Sequence, residues 1–215
     1  MFKHLILIAY IYTIIINNMK KITTLFVAII AVALVAFKPI APVTFKVDAA
    51  KSKIEWTGKK VTGQHNGTIK LQSGEVITNG KVPTGGKFVI DMTSMDNTDL
   101  SGDGKGKLLG HLKSDDFFGV EKFPTATFAA TKITPAGGNK VNVTGNLTIK
   151  GKTSPITFPA TYTISNNTLT VNASDVKVNR TIYDIRYGSK SFFESIGDKA
   201  IDDDFLLNIN LVATR

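Results

Sequence analysis

Val141 to Ile149 reads VNVTGNLTI. Val141, Val143, Gly145, Leu147 and Ile149 alternate with Asn142, Thr144, Asn146 and Thr148. A period of two places the first set on one face of a β-strand and the second on the other, so one face is buried and the other wet. Lys150-Gly151-Lys152 follows, where a short hairpin turn is expected. Beyond it, Ile156, Phe158, Ala160, Tyr162 and Ile164 alternate with Thr157, Pro159, Thr161 and Thr163. Asn166-Asn167 marks the next turn, and Pro159 inside a strand points to an edge, a bulge or a barrel rim. Near the end of the chain, Phe205, Leu207, Ile209 and Leu211 repeat the period, with Leu206 and Val212 as exceptions.

Weaker strands fit Lys53–Lys60, Gln64–Gln72, Gly86–Met95, Thr125–Ile133 and Thr168–Val178, and their Thr and Val content supports them. A longer turn fits Thr134 to Asn139. The helix-like piece is Lys105 to Ser114, and a short irregular or helical turn fits Ser191–Gly197. Eight or nine strands with short turns make an all-β domain, a barrel or a sandwich. Closing the sheet removes exposed edges. An eight-stranded barrel has room inside for side chains or one small ligand.

The N-terminus has a different character. Phe2 to Ile16 is an apolar run interrupted by Lys3 and His4, and Met19-Lys20-Lys21 opens a second apolar run that ends at Phe37. A basic start, an apolar stretch and small residues near its end describe a secretory signal peptide. Residues 1–18 then read as an upstream over-extension of the reading frame, 19–41 as the signal with its cut near 36–41, and 42–215 as the barrel domain. A two-segment or single uncleaved membrane anchor is the alternative, although each run falls short of the ~20 residues that span a bilayer. With the signal cleaved, no stable membrane span remains. The expected location is periplasmic or secreted.

About 175 residues are left, enough for one domain with a real core. The chain has no cysteine, so an exported form has no disulfide framework and no acylated cysteine. The formal charge is +9, and removing Lys3, Lys20 and Lys21 leaves +6. These basic residues are scattered and do not interleave with aromatics, which argues against nucleic-acid binding. They read as a solvated face with some attraction to anionic surfaces.

Catalytic and metal motifs fail one by one. His65 and His111 have no metal-ligand spacing, and no thiolate exists. Asp99, Ser101, Asp103 and Gly104 imitate the first half of a calcium loop, but Lys105 and Lys107 sit where ligands should follow, and Gly110 replaces the closing glutamate. Gly151-Lys152-Thr153 resembles the end of a phosphate-binding loop, but Asn146 occupies the place of its first glycine. Asp202-Asp203-Asp204 is simplest as a charged turn before the last strand. No serine has a nucleophile-elbow context. Glu55 and Asp91 lie in strands whose alternation aims both outward. No metal, cofactor or catalytic residue is therefore assigned.

What remains is apolar. His111 to Phe128 reads HLKSDDFFGVEKFPTATF and gathers Phe117, Phe118, Phe123 and Phe128 around a Phe-Pro turn. So much aromatic surface near a loop needs a core, a partner or a greasy ligand as cover. By alternation Trp56, Phe88, Ile90, Met92, Phe128, Leu147, Phe158, Tyr162, Phe205 and Leu207 share the interior. A packed core and a lined cavity are equally compatible with that pattern.

The block HLKSDDFFGVEKFPTATF, the later VTGNLTIKGKTSPITFPATY and the preceding FVIDMTSMDNTDL together resemble the YceI-like family over Phe45 to Thr214. The resemblance implies an extended, eight-stranded antiparallel β-barrel similar to lipocalins, with one short helix between strands. It implies an elongated apolar pore for a polyisoprenoid or another long-chain isoprenoid or fatty amphiphile. The residues named above would line the shaft, with Phe117, Phe118 and Phe123 at one end. Tyr183, Arg186 and Tyr187 are candidates for head-group contacts at the mouth, Arg186 toward a phosphate or quinone-type head. The family brings no catalytic residues to transfer. A carrier, storage or sequestering role is expected; an envelope stress or structural protein with a packed barrel and an enzyme acting on an isoprenoid lipid are the alternatives. A homodimer is compatible with the resemblance, and no residue pattern requires one. The Gly- and Lys-rich loop Leu100–Gly106, the Gly-rich stretch Gly58–Gly67 and the segment Asn179–Phe193 depart from the common pattern, which bears on pocket shape and ligand length.

Overall fold

A computed structural model of the chain describes residues 10–21, 41–194 and 197–215. The chain divides into two units, Met1–Ile40 and Ala41–Arg215. In the first, residues 10–21 are helical. No described helix is long and apolar enough to cross a membrane. The expected export signal and its cut lie outside the described residues except for residues 19–21 and Ala41, as do residues 1–9 of the leading segment.

The second unit holds β1 (Val43–Val47), β2 (Lys53–Lys60), β3 (Gly63–Thr78), β4 (Pro83–Asn97), helix α1 (Gly102–Lys113), β5 (Thr125–Pro135), β6 (Lys140–Ile149), β7 (Lys152–Ser165), β8 (Thr168–Asn179) and β9 (Ile201–Thr214). Neighbouring strands are antiparallel in the order β2-β9-β8-β7-β6-β5-β4, and β3 pairs with both β4 and β2, so the sheet closes on itself. β1 pairs with the far end of β3 and with the end of β9, while β2 pairs with the near end of β3 and the rest of β9. β1 and β2 thus share one place in an eight-position barrel. The jog between them is a side-chain turn: Asp48 Oδ1 accepts from the backbone N–H groups of Ala50 and Lys51, each at 3.1 Å. Ser52 Oγ accepts from Val212 N–H at 3.0 Å, which returns the chain to β9.

The decisive stretch behaves as its alternation requires. Val141, Val143, Gly145, Leu147 and Ile149 are buried, and their neighbours on β6 are exposed or half-buried. Lys150 and Gly151 form the two-residue turn to β7 with φ of 51° and 71°, the left-handed backbone that suits the twist of a hairpin. β3 and β4 run longer than their patterns predict, because bulges between Thr68 and Lys70 and between Leu71 and Ser73 interrupt the period while the ladder continues.

Pro159 has a physical explanation in the topology. β7 pairs with β8 only from Thr161 to Ser165, at their shared hairpin. Over Lys152–Ala160 it has β6 on one side only. Pro155 and Pro159 stand in that part, where a missing N–H breaks no ladder bond on the open side. β8 has a bulge between Ala173 and Val176, with Asp175 at φ 52°. The segment that fills the splayed region begins with a 3₁₀ turn at Arg180–Tyr183, upstream of the turn expected at Ser191–Gly197. A second 3₁₀ turn covers Gly197–Lys199, while residues 195–196 of the expected turn lie outside the described set.

Helix α1 begins three residues before its expected start and has no fully buried residue. Gly104, Gly106 and Gly110 contribute little helix propensity. Tertiary ties hold it instead: Lys105 pairs with Asp96 at 2.7 Å, and Lys113 Nζ donates to the Thr93 carbonyl at 2.8 Å.

Candidate functional site

The inward faces of the strands enclose a cavity of about 310 Å³. That size falls within the range of small-molecule pockets. It follows β9 from Ile201 through Phe205, Leu207 and Ile209 to Leu211, a strand path of about 33 Å. The wall has a polarity gradient. Around Val76, Gly85, Gly86, Phe88, Ala130, Val143 and Phe158 the lining is apolar, whereas Lys59, Lys60, His65, His111, Arg180, Asp202 and Asp204 gather at the other end. That second end is where β2 and β8 finish and β9 begins, and α1 stands over it.

Glycines keep the shaft hollow. A Cβ on Gly67 would lie 2.3 Å from Cζ2 of Trp56, one on Gly74 2.6 Å from the Phe88 ring, and one on Gly145 2.3 Å from Cζ of Phe128. Trp56 faces Gly67 and Phe88 faces Gly74 across their ladders, and Phe128 reaches Gly145 diagonally. Three large rings therefore lie flat on the wall in places where only glycine leaves room. Projecting straight inward, the same rings would fill the pore. Phe128 also contacts Phe88 and Phe158, at centroid separations of 6.3 and 5.7 Å.

The aromatic block caps the polar end. Phe117 is buried, and Phe118 meets Phe205 of β9 edge-on at 6.2 Å. His111 stands edge-on to both Phe117 at 4.8 Å and Tyr187 at 4.5 Å. His111, Leu112, Phe117 and Phe118 all line the cavity. Trp56, Phe88, Ile90, Met92, Phe128, Leu147, Phe158, Phe205 and Leu207 line it too. Two residues expected in the lining are elsewhere. Phe123 covers the β6–β7 turn, where a Cβ on Gly151 would come within 3.1 Å of its ring. Tyr162 packs with the residues around Val141 and Ala160. The block turns at Gly119 with φ 56°, which sends Phe123 outward over the hairpin.

None of the three expected head-group residues lines the cavity. Tyr183 is fully buried behind the wall, and burial pushes its hydroxyl pKa up. Arg186 is exposed, pairs with Asp184 at 2.9 Å and stacks on Phe192 at 4.6 Å. Tyr187 is 47% exposed and leans on the outer side of His111 and Phe117.

The buried cation in the cavity lining is Arg180, 3% exposed. Its Nε donates to the Asp202 carbonyl at 2.9 Å, Nη1 to those of Ile185 and Tyr187 at 2.8 Å each, and Nη2 to that of Ile201 at 3.0 Å. Asp203 approaches Nη2 only to 3.8 Å, and the Phe117 ring centroid lies 5.8 Å from the guanidinium. Burial lowers the Arg180 pKa, and Asp203 and Asp202 oppose that shift. The guanidinium thus ties the loop after β8 to the start of β9 while forming part of the pore wall. A signal for it exists in the sequence: Val176, Val178 and Arg180 continue the inward phase of β8, so the alternation carries an arginine to the interior.

The rejected motifs have structural roles. Asp99 accepts from Asn66 N–H at 2.7 Å and from Asn97 Nδ2 at 2.6 Å, and it contacts His65 Nδ1 at 2.8 Å. Burial pushes the Asp99 carboxyl up, but these partners outweigh it and hold it below the ordinary value. Glu55 is exposed beside Lys53 at 2.6 Å. Asp91 is held low first by the Thr93 hydroxyl. Among the described residues no group of three or more metal-ligating side chains converges.

Comparison with known proteins agrees with this geometry. The YceI-like domain model matches residues 45–213. BcnA of Burkholderia cenocepacia superposes with a TM-score of 0.63 at 30% identity, covering 78% of this chain and 99% of BcnA. A polyisoprenoid binding domain of Saccharophagus degradans, implicated in plant cell wall breakdown, superposes at 0.60 with 18% identity, over 79% of this chain and 97% of that domain. A UPF0312 protein of Vibrio parahaemolyticus is 38% identical over 79 residues, which are 37% of this chain and 39% of the relative. The matched stretch thus spans little more than a third of that relative's length. With a closed antiparallel barrel, an apolar shaft and a family match across nearly the whole second unit, the chain belongs to the YceI-like domain family.

Proposed function

We propose that this is an exported lipid-binding protein that holds a polyisoprenoid or a similar long-chain amphiphile in its barrel, as a carrier, store or sequestering protein. The observation that carries the reading is a shaft with a polarity gradient, apolar over most of its length and lined by charged residues only at the end where β9 begins. A chain of methyl and methylene groups matches the apolar length, and each methylene buried contributes about 0.8 kcal/mol. Part of that gain offsets the lost freedom of a flexible ligand. The head group belongs at the polar end, beside Lys59, Lys60, His111 and Arg180. The Saccharophagus domain, with the same fold, supports the same ligand class. Glu55 and Asp91 face away from the shaft, and the carboxylates in its lining, Asp202 and Asp204, stand at the polar end with Lys59 and Lys60.

Mass spectrometry of an organic extract of the purified protein tests this directly. A stoichiometric prenyl or long-chain lipid is the expected result. An empty extract, together with no uptake of prenyl lipid from vesicles, would overturn it. Export rests on the basic and apolar pattern from Met19 onward. Edman sequencing of protein recovered from the periplasm or medium should begin within or just after residues 36–41, and retention of the whole chain in the cytoplasm would remove the export reading.

A further inference from the structure

Among the described residues, the second unit exposes these large hydrophobic side chains: Val61, Ile182, Tyr187, Phe192 and Phe193, each between 45% and 55% exposed. Single apolar residues scattered over a surface need no explanation, but a gathered group marks an interaction site. Val61 sits in the β2–β3 turn, and its N–H donates to the Ala200 carbonyl at 3.2 Å. The other four belong to the segment between β8 and β9. Backbone bonds fold that segment onto the start of β9. Ile201 N–H donates to the Gly188 carbonyl at 2.8 Å, and the N–H groups of Phe192 and Phe193 both donate to that of Ser189. Ser191 Oγ donates to Asp203, and Tyr187 leans on His111 of α1. All five residues therefore stand where β2 and β8 finish and β9 begins, at the polar end of the shaft. The opposite end, with its turns at 79–82, 136–139 and 166–167, exposes no large hydrophobic side chain.

The partner that fits this end is the surface of a lipid bilayer. A long-chain lipid crossing water between a membrane and the shaft would expose every methylene, and a polar end pressed against the bilayer avoids that exposure. The side chains are also of the interfacial kind. The Arg186 guanidinium lies 4.6 Å over the exposed Phe192 ring, so a ring and a cation are presented together. In a bilayer surface the ring enters the acyl boundary while the cation stays among the phosphates. Lys59, Lys60, Lys190 and Lys199 accompany Arg186 at this end, but Asp184, Glu194, Asp198, Asp202 and Asp204 stand there too. With both signs present, the attraction comes from the apolar side chains, and an uncharged bilayer is sufficient.

We propose that the polar end of the barrel docks on a lipid bilayer, with Val61, Phe192 and Phe193 entering the acyl boundary, and that the shaft takes up and releases its ligand in that docked state. The exchange of ligand rests on the lipid-binding reading above; the docking does not.

The chain has no cysteine, so Phe193→Cys, Val61→Cys and Ala136→Cys can each carry one environment-sensitive nitrobenzoxadiazole dye. Ala136 is exposed in the β5–β6 turn at the opposite end. The apolar N-terminal run can itself hold the full chain at a vesicle, so the readout is the position of the dye. With phosphatidylcholine vesicles the dye on Phe193→Cys and on Val61→Cys should shift to the blue and brighten, and the dye on Ala136→Cys should not. Adding Phe192→Ser and Phe193→Ser to the Val61→Cys protein should cut its response by about threefold or more, because two half-exposed rings no longer enter the bilayer. Without the dye, the same two serines should slow uptake of solanesol from the vesicles and leave the final amount loaded unchanged. No response from either Phe193→Cys or Val61→Cys, or an equal response from Ala136→Cys, overturns the docking. A dimer in sedimentation that the two serines dissolve, with no dye response to vesicles, assigns the patch to a second copy of the chain and overturns it as well. Dye responses as expected with no solanesol taken up by the wild type keep the docking and remove the lipid-binding reading, along with the exchange that rests on it.

Discussion

Along β6 and β7, ten consecutive residue pairs stand in register across a two-residue turn. Beside them, the loop that begins at Arg180 is gathered by one guanidinium, which donates to two carbonyls of β9 and to two of the loop itself. The first region is a wall whose bonds repeat, so each contributes a little and the next pair supports it. The second is a cap whose bonds converge on a few side chains, so one substitution removes many of them. The wall needs only the right alternation and a turn that tolerates positive φ. The cap needs residues far apart in the chain, α1, Phe117, Arg180 and Asp203, to meet at one end of the barrel.

The largest effect of substitution should come from the cap. Arg180→Ala leaves four carbonyls and Asp203 without their cation, and it should destabilise the fold by about 3–5 kcal/mol. Chemical denaturation measures this. Arg180→Lys should recover only part of the loss, because an ammonium cannot reach the carbonyls as a planar fork does. A loss no larger than that of an ordinary surface substitution would erase the distinction between cap and wall.

The wall should yield less, and in a different way. Gly145→Ala places a Cβ 2.3 Å from Phe128 and 2.6 Å from the Ala129 carbonyl. The expected cost is about 1–3 kcal/mol from overpacking. The Phe128 ring, pushed off its seat, should also narrow the shaft. Less lipid bound per mole of folded protein, read in the same extraction assay, would separate this from simple destabilisation.

The smallest effect concerns acid. Asp99 and Asp203 both belong to the cap region, and both titrate below their ordinary value of 3.8. For Asp203 burial acts upward, and the hydroxyls of Ser189 and Ser191 with Arg180 outweigh it. Because the folded values are depressed, these groups contribute full stability above pH 3.8, and they lose it as pH falls below 3.8 through the lowered values. Amide exchange should therefore quicken at Asn66 and Leu100 before it does along β6 and β7. Asp99→Asn should cost about 1 kcal/mol at neutral pH and flatten the acid limb of the stability curve.

Legibility in the sequence follows the same division. The alternation from Val141 to Ile149 and from Ile156 to Ile164 is enough to assign the β6–β7 hairpin, since strand, turn and strand are all local. Most shaft residues were also readable, because inward phase on a strand survives whatever the sheet does next. Phe123 was not. It shares the aromatic character of Phe117 and Phe118, but the positive φ at Gly119 sends it to the other side of the wall. Arg186 and Tyr187 carry the right chemistry for a mouth, yet the tight turn at Arg180–Tyr183 leaves them outside it. Arg180 could have been found by extending the phase of β8 by two residues beyond Val178.

The sequence by itself determined an all-β chain with one buried face, its hairpin turns and the apolar nature of its interior, because a period of two and a left-handed turn are properties of neighbouring residues. Only the tertiary structure decided that the interior is hollow. Whether a ring fills a shaft or lies flat against its wall depends on what stands across the ladder from it. Gly67, Gly74 and Gly145 come to stand beside Trp56, Phe88 and Phe128 only once distant strands have paired.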